Sequence, residues 1–95
     1  KDNAILINVA RGAITNEKDV ADAVKAGAIG GFATDVYSFE PLPCDSPFVS
    51  ISEMPNVILT PHMAWASREA RIRCAKEVYL NIKSFLAGEK RNVVV

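Results

Sequence analysis

The fold is decided by the stretch Ala4-Ile5-Leu6-Ile7-Asn8-Val9, an apolar run that lies between polar Asp2-Asn3 and Arg11-Gly12. Apolar residues follow one another in this run without alternating with polar ones. Such a run is typical of a β-strand that is covered on both faces, as in a parallel sheet. We therefore predict a buried strand here, and with it a sheet of parallel strands.

The residues after this strand predict a short helix and a second strand. Asn16 can cap the helix, and Gly27 can close it in a left-handed conformation. A second strand is predicted over Ile29–Tyr37. The succession of strand, short helix and strand fits one right-handed βαβ crossover. The apolar face of the helix would consist of Val20, Ala23 and Val24.

A long loop, a third strand and a long helix complete the pattern. Four of the five prolines fall within residues 38–56, and loops of this length are usually functional or disordered. The third strand is predicted over Val57–Thr60. Ser67 can cap a long helix, which ends at Gly88 and precedes a short apolar tail, Val93–Val95. The apolar stripe of this helix, which we predict to be core, consists of Ala75, Val78, Tyr79, Ile82, Phe85 and Leu86.

These elements place the chain in the α/β class. We predict a partial Rossmann-type doubly wound parallel sheet, with about three strands and one crossover helix, plus a long C-terminal helix. So small a sheet is incomplete, and at least one strand edge would be exposed in the isolated chain. We expect either further strands upstream or self-association that covers the edge. A strand that begins almost at Lys1 suggests a chain cut from a longer polypeptide.

The composition argues against several classes of protein. The formal net charge is zero, with 11 basic and 11 acidic residues, and no basic stretch favours a nucleic acid or an anionic membrane as partner. No apolar run approaches the ~20 residues that cross a bilayer. Cys44 and Cys74 form no CxxC pair, so we predict neither a disulfide framework nor a zinc or other metal site. Two buried or idle thiols favour a reducing, cytoplasmic location.

Four polar residues follow the ends of the predicted strands. Arg11 follows the first strand, Asp35 and Glu40 lie at and beyond the end of the second, and His62 follows the third. In an open parallel sheet the carboxyl ends of the strands share one edge, and ligands bind in the crevice there. Residues up to 51 positions apart in the sequence are therefore expected to converge.

Each of these residues, taken alone, also has a plainer interpretation. Arg11 could be a solvated loop residue, Asp35 a cap for the following turn, and Glu40 a surface acid. His62, the only histidine in the chain, could be structural. Only their convergence at one edge of the sheet would indicate a catalytic site.

A glutamate and a histidine that meet at this edge would form an acid–base pair. A carboxylate beside an imidazole favours the protonated form of the ring. That imidazolium can donate a proton to a carbonyl oxygen as hydride reaches the carbon. Arg11 would orient the substrate, because its guanidinium suits bidentate capture of a carboxylate. The hydride must come from a cofactor, since no side chain can supply one.

Three segments resemble, in order, the late motifs of D-isomer-specific 2-hydroxyacid dehydrogenases: Asn8-Val9-Ala10-Arg11-Gly12, Asp35-Val36-Tyr37-Ser38-Phe39-Glu40-Pro41, and Asn56-Val57-Ile58-Leu59-Thr60-Pro61-His62-Met63-Ala64-Trp65. The resemblance implies a Rossmann-type domain, NAD or NADP as cofactor, a small 2-oxo or 2-hydroxy acid as substrate, and a homodimer. Residues 1-66 would be the C-terminal half of the NAD(P)-binding domain with its catalytic loops. Residues 67-95 would be the long helix and tail that return toward the substrate-binding domain.

The resemblance also assigns roles to the matching residues. Arg11 becomes the ligand of the substrate carboxylate, Glu40 the partner that keeps His62 charged and oriented, and His62 the acid–base. Trp65 after His-Met-Ala is similar to the glycerate dehydrogenase and hydroxypyruvate reductase branch, which favours hydroxypyruvate, glyoxylate or D-glycerate. The nicotinamide end of the cofactor would be contacted at Val9, Ala10, Arg11, Asp35, His62, Ala64 and Trp65.

The chain departs from the family pattern at the cofactor's phosphates. It contains no G-x-G-x-x-G segment, and the residue that selects NAD over NADP is expected outside it. By itself the chain should bind a dinucleotide weakly or not at all. Two other functions remain open: a corepressor-like binding protein of the same fold that responds to NAD(H), and a non-catalytic oligomerisation module.

Overall fold

The computed structural model describes residues 1–94. These residues divide into two compact units, the first over Lys1–Ala64 and the second beginning at Trp65. Among the described residues, no helix is both long and apolar enough to cross a membrane.

The first unit is built on a parallel three-stranded sheet, as predicted. Strands β1 (Ile5–Asn8), β2 (Gly31–Thr34) and β3 (Val57–Leu59) lie in that order, with β2 in the middle. Asn8 is opposite Thr34, which in turn is opposite Leu59. The carboxyl ends of the three strands therefore meet at one edge. β1 and β3 each have one neighbour within the described residues, so the predicted open edge exists on both sides.

Helix α1 (Glu17–Lys25) crosses from β1 to β2 and begins and ends where the sequence predicts. The Asn16 side chain caps it by accepting a hydrogen bond from the Asp19 amide at 3.1 Å. Gly27 follows the helix with a φ of 66°, the left-handed conformation that glycine adopts readily. Ala21 and Val24 are buried. Both side chains belong to the core cluster that also contains Phe32 of β2.

The proline-rich segment is more ordered than the prediction of a plain loop. A 3₁₀-helix occupies Pro47–Ile51, with Ser46 as its cap. Phe48 and Ile51 are 1% and 0% exposed, and the Phe48 ring lies 4.9 Å from that of Phe32 on β2. A 3₁₀-helix of five residues is too short to show a period in the sequence, so no pattern predicted it. The segment therefore supplies core to the first unit.

Two predictions about the strands are corrected. β2 ends at Thr34, not at Tyr37, because Asp35 and the residues after it turn away from the sheet. The prediction that the first strand is covered on both faces is wrong for this chain: Ile5 and Ile7 are 69% and 64% exposed. The apolar run does form a strand, but no element of the first unit packs on its second face.

The second unit consists mainly of helix α2 (Arg68–Leu86). The Ser67 hydroxyl caps it by accepting from the Ala70 amide, and Gly88 follows with a φ of 72°. The prediction that its apolar stripe is core is wrong here, since α2 has no buried residue. Among the described residues of its own unit, the helix has no second helix or strand to pack against. Of the predicted apolar tail, Val93 and Val94 are exposed and Val95 lies outside the described residues.

Candidate active site

The sequence-predicted residues of the first unit lie just beyond the carboxyl ends of the three strands. Arg11 follows β1, Asp35 follows β2 directly, and His62 follows β3. Parallel pairing brings these ends to one edge of the sheet, which is where open α/β sheets bind ligands.

Glu40 and His62 are in direct contact. The Glu40 Oε2 atom lies 2.7 Å from His62 Nδ1, and both side chains are partly open to solvent. Because an ionised carboxylate only accepts hydrogen bonds, the proton of this bond belongs to Nδ1. The other carboxylate oxygen, Oε1, accepts from the Tyr37 amide at 3.2 Å. The glutamate is thus held at both oxygens.

The surroundings of Glu40 stabilise its charged form. The hydrogen bond from His62 lowers the pKa of the Glu40 carboxyl most, and the hydrogen bond from the Tyr37 amide lowers it further. Desolvation by burial opposes these hydrogen bonds, and the charges of His62 and Arg11 act with them, so the pKa of Glu40 lies below its ordinary value. Glu40 is therefore a carboxylate at neutral pH, as an ion-pair partner for imidazolium must be.

Asp35 holds the turn that carries the histidine. It is 3% exposed, and its Oδ1 accepts from the Thr60 hydroxyl at 2.6 Å and from the Met63 amide at 2.8 Å. Its Oδ2 accepts from the Ala64 amide at 2.8 Å. Both oxygens of this buried carboxylate are therefore bonded to the segment on either side of His62.

These hydrogen bonds decide the ionisation of Asp35. Burial acts most strongly and by itself would raise the pKa of the carboxyl. The hydrogen bonds from Thr60, Ala64 and Met63, together with the charge of His62, outweigh burial, so the pKa of Asp35 lies below its ordinary value. A buried charge without a direct cation partner is tolerated here because three donors replace its water.

His62 has a backbone conformation that its neighbours maintain. Its φ is 53°, in the left-handed region that a non-glycine residue rarely adopts. The His62 amide donates to the Thr60 carbonyl at 3.1 Å, and the next two amides donate to Asp35. Such strain persists where the surroundings over-determine it, often at functional sites.

Arg11 lies on a turn that the Asn8 side chain holds. Asn8 is buried, its Nδ2 donates to the Arg11 carbonyl at 2.9 Å, and its Oδ1 accepts from the Ala10 amide at 3.1 Å. The Arg11 side chain is exposed and donates to the Ala10 carbonyl at 2.6 Å. Among the described residues no ion pair joins the guanidinium to Glu40, but its charge is close enough to lower the pKa of that carboxyl.

The remaining predicted contacts divide between the two units. Val9 and Ala10 are exposed at the end of β1, and Ala64, also exposed, closes the first unit. Trp65 belongs to the second unit, where it is exposed.

Within residues 1–94, no group of three or more histidine, cysteine or acidic residues is arranged to hold a metal ion. Cys44 and Cys74 are exposed, unpaired thiols.

A hollow of about 370 Å³ lies beside the Glu40–His62 pair. Its walls are mostly apolar, and the polar groups of the lining include the side chains of Glu40 and His62. The lining consists of Tyr37, Glu40, Pro41, Leu42, Leu59, Thr60, Pro61 and His62.

Tyr37 and Glu17 shape the site, and sequence reasoning assigned neither. The buried Tyr37 donates through its hydroxyl to the Thr60 carbonyl at 2.8 Å, and burial raises its pKa. The Glu17 carboxylate accepts from the Ser38 amide and from the Ser46 hydroxyl, both at 2.8 Å. Tyr37 lies within the family motif at residues 35–41, which could have drawn attention to it. The partners of Glu17 are 21 and 29 residues away in the sequence, so no local sequence pattern indicates its role.

Comparison with known proteins identifies relatives along almost the whole chain. Residues 1–64 match the family described as D-isomer specific 2-hydroxyacid dehydrogenase, NAD binding domain. A glycerate dehydrogenase of Methylorubrum extorquens is 45% identical over 94 residues, which are 99% of this chain and 30% of that protein. The chain thus spans about 30% of the length of the curated relatives it matches.

Solved structures agree in fold. An acyclic imino acid reductase, solved with NADPH and D-Arg, is similar with a TM-score of 0.78 and 35% identity, over 100% of this chain and 29% of that one. An NADPH-dependent glyoxylate/hydroxypyruvate reductase from Sinorhizobium meliloti, solved with citrate, has a TM-score of 0.73 and 33% identity, over 99% of this chain and 29% of that one.

Proposed function

The chain belongs to the D-isomer specific 2-hydroxyacid dehydrogenase family, and we propose that it carries the acid–base machinery of an enzyme that transfers hydride between NAD(P)H and a small 2-oxo acid. The observation that carries this proposal is the 2.7 Å contact between Glu40 and His62 at the carboxyl edge of a parallel sheet. A charged carboxylate held against one imidazole nitrogen leaves proton exchange with a substrate to the other, Nε2.

The reaction needs a proton at the substrate oxygen, and His62 is the group that can supply it. In reduction, the imidazolium would donate the Nε2 proton to the carbonyl oxygen; in oxidation, the neutral ring would take the hydroxyl proton back. Glu40 would favour the imidazolium and fix the plane of the ring. Arg11 would bind the substrate carboxylate and hold the carbonyl near His62.

The residues at this edge suit the nicotinamide end of the cofactor. A bound nicotinamide would supply or accept the hydride. The exposed Val9 side chain offers an apolar surface for a flat ring, and the backbone around Ala10 offers polar groups for a carboxamide. Asp35 already accepts three hydrogen bonds, so any contact with a carboxamide would add to these. The residues proposed to hold this end are Val9, Ala10, Arg11, Asp35, His62 and Ala64 at this edge and, from the family resemblance alone, Trp65.

We favour hydroxypyruvate, glyoxylate or D-glycerate as substrate. Relatives of the chain include proteins named glycerate dehydrogenase, hydroxypyruvate reductase and glyoxylate reductase, at 45%, 37% and 42% identity.

We propose that residues 1-66 belong to the NAD(P)-binding domain and residues 67-95 to the long helix and tail that return toward the substrate-binding domain. We also propose that the enzyme works as a homodimer in the cytoplasm. Light scattering on the purified complete gene product would test the dimer.

The test is turnover by the complete gene product with hydroxypyruvate or glyoxylate, using NADH and NADPH in separate assays. We expect catalysis, and a loss of about 10²- to 10⁴-fold in kcat on replacing His62 by Asn, because general acid catalysis is of that size. The matched control is Glu53→Gln, an exposed change outside the site. Undiminished turnover by His62→Asn would remove the histidine from its proposed role.

A second candidate function is reduction of a 2-imino acid. It is favoured by the similarity to the acyclic imino acid reductase solved with NADPH and D-Arg. A 2-imino acid also has a carboxylate for Arg11 and a neighbouring nitrogen that can receive a proton. Assaying a 2-oxo acid with and without ammonia or an amino acid separates the two candidate reactions, since only an imine reductase depends on the amine.

Tight NADH binding without turnover on any of these substrates would support the corepressor-like alternative.

A further inference from the structure

We infer that Glu17 is a positioning residue for the Glu40–His62 pair: its carboxylate joins the two ends of the loop 38–46 and thereby places Glu40 against the imidazole. As far as catalysis is concerned, this inference rests on the function proposed above. Glu17 does not contact the pair itself.

The two hydrogen bonds of Glu17 reach opposite ends of the loop. Its Oε1 accepts from the Ser38 amide and its Oε2 from the Ser46 hydroxyl, each at 2.8 Å. Glu40 lies between these two attachment points. One half-buried side chain at the start of α1 thus closes the loop that carries the acid.

Both attachment points are themselves fixed to the interior. Ser46 is 6% exposed and its hydroxyl also caps the 3₁₀-helix Pro47–Ile51 by accepting from the Phe48 amide at 3.3 Å. At the other end, Gly12 packs against the backbone of Tyr37 and Ser38, so closely that an added Cβ would lie 2.0 Å from the Tyr37 carbonyl carbon. The loop is therefore tied at positions that cannot shift easily.

The link from Glu17 to Glu40 passes through two consecutive amides. The Tyr37 amide donates to Glu40 Oε1, and the next amide, that of Ser38, donates to Glu17 Oε1. The peptide that Glu17 holds is thus adjacent to the one that orients Glu40. Without the Glu17 bond, packing against Gly12 is what still fixes the tilt of the Tyr37–Ser38 peptide, and the Tyr37 amide then restrains the Glu40 carboxylate less firmly.

The chemistry of the contact calls for a carboxylate. The two partners of Glu17 are both donors, and an ionised carboxylate offers an acceptor oxygen to each. A glutamine of the same size offers one acceptor oxygen and an amide group that only donates. Glu17→Gln therefore replaces two charge-assisted bonds by neutral ones with little change in volume, and the Ser46 hydroxyl, which already accepts from the Phe48 amide, would have to turn and accept from the glutamine as well.

A first-turn acid also interacts favourably with the amino end of its helix, and the test must separate this effect. Asp19 provides the matched control, because it is an exposed acid in the same first turn and, among the described residues, no hydrogen bond or ion pair joins its side chain to the loop 38–46. Asp19→Asn removes the same charge from the same helix end. Only Glu17→Gln should disturb the Glu40–His62 pair.

The experiment compares the unaltered protein, Glu17→Gln and Asp19→Asn by NMR. His62 is the only histidine of the chain, so a downfield imidazole N–H proton hydrogen-bonded to a carboxylate is assignable without ambiguity. The titration of the Glu40 carboxyl carbon is followed in the same samples. We expect Glu17→Gln to broaden or abolish the downfield proton and to raise the Glu40 titration midpoint, and Asp19→Asn to leave both unchanged.

Kinetics of the complete gene product provide the second measurement. We expect Glu17→Gln to lower kcat about tenfold while KM changes little, because misplacement of an acid–base pair slows the proton step more than substrate binding. If Glu17→Gln does not fold, Ser46→Ala, which removes one of the two bonds, is expected to shift the NMR signals in the same direction. NMR signals in folded Glu17→Gln, or in Ser46→Ala, that match those of Asp19→Asn overturn the inference. Absence of turnover in the unaltered gene product would instead reject the proposed function and leave the NMR result to decide the role of Glu17.

Discussion

His62 Nδ1 and Glu40 Oε2 lie 2.7 Å apart, although 22 residues separate them in the sequence. The contact joins the loop after β2 to the turn after β3. It depends on parallel pairing of these two strands, which brings their carboxyl ends together. Two further carboxylates support it: Asp35 accepts from the amides of the turn of His62, and Glu17 accepts from both ends of the loop of Glu40.

Replacing Glu40 by Gln should impair catalysis while leaving the fold intact. Glutamine can accept a hydrogen bond from His62 but carries no charge to favour the imidazolium. We expect kcat of the complete gene product to fall on the order of 10²-fold, at the lower end of what general acid catalysis contributes. Steady-state kinetics against Glu53→Gln as control would measure it. A kcat within twofold of the control would show that the pair has no role in turnover.

Replacing Asp35 by Asn should release the turn that carries His62. The asparagine amide group cannot accept, so at least one of the bonds from Thr60, Met63 and Ala64 is lost. We expect the Met63 and Ala64 amide protons to exchange with solvent on the order of tenfold faster, because losing a hydrogen bond lowers the free energy of local opening by about the corresponding amount. Hydrogen exchange followed by NMR measures this, with the exposed Asp45→Asn as control. Equal protection in both variants would contradict the assignment.

The free energy of unfolding should depend on pH through the carboxyls of Glu40 and Asp35. The pKa values of Glu40 and Asp35 are lowered in the fold, so at acidic pH the unfolded state binds more protons than the folded one. Their contribution to the free energy of unfolding is therefore complete above the unfolded pKa of about 4 and is lost as pH falls through the lower folded values.

Thermal unfolding from neutral to acidic pH tests this dependence. The Tm of the unaltered protein should exceed that of Glu40→Gln at neutral pH, and the difference should shrink as the pH falls below about 4. A difference in Tm that stayed constant, or grew toward acid, would contradict the direction of the Glu40 pKa.

The core contributed by the proline-rich segment gives a prediction about stability. Phe48 is 1% exposed and packs on Phe32, whereas Phe39 in the same segment is 77% exposed. We expect Phe48→Ala to lower the free energy of unfolding by about 3–5 kcal/mol and Phe39→Ala by less than about 0.5 kcal/mol. Urea denaturation of both variants measures the contrast. Similar losses for the two would mean that the 3₁₀-helix Pro47–Ile51 is not part of the core.

Much of the fold could be predicted from local patterns. The unbroken apolar run near the amino end predicted a parallel strand, and Asn16 and Ser67 marked the caps of both helices. Burial was harder to predict, because an apolar residue shows only that it can be buried. Ile7 and Phe85 fit the apolar patterns of a covered strand and a packed helix, yet both are exposed in the described residues.

The sequence by itself determined the order of the elements, the placing of Arg11, Asp35, Glu40 and His62 after strand ends, and the family to which these motifs belong. These properties are local, since a strand, a helix cap or a motif is encoded by residues that are adjacent in the chain. Tertiary structure alone decided that both oxygens of Asp35 bind the turn of His62 and that Glu17 closes the loop of Glu40. A carboxylate is an acceptor for any donor within reach, and only folding decides which donors, 21 to 29 residues away, come within that reach.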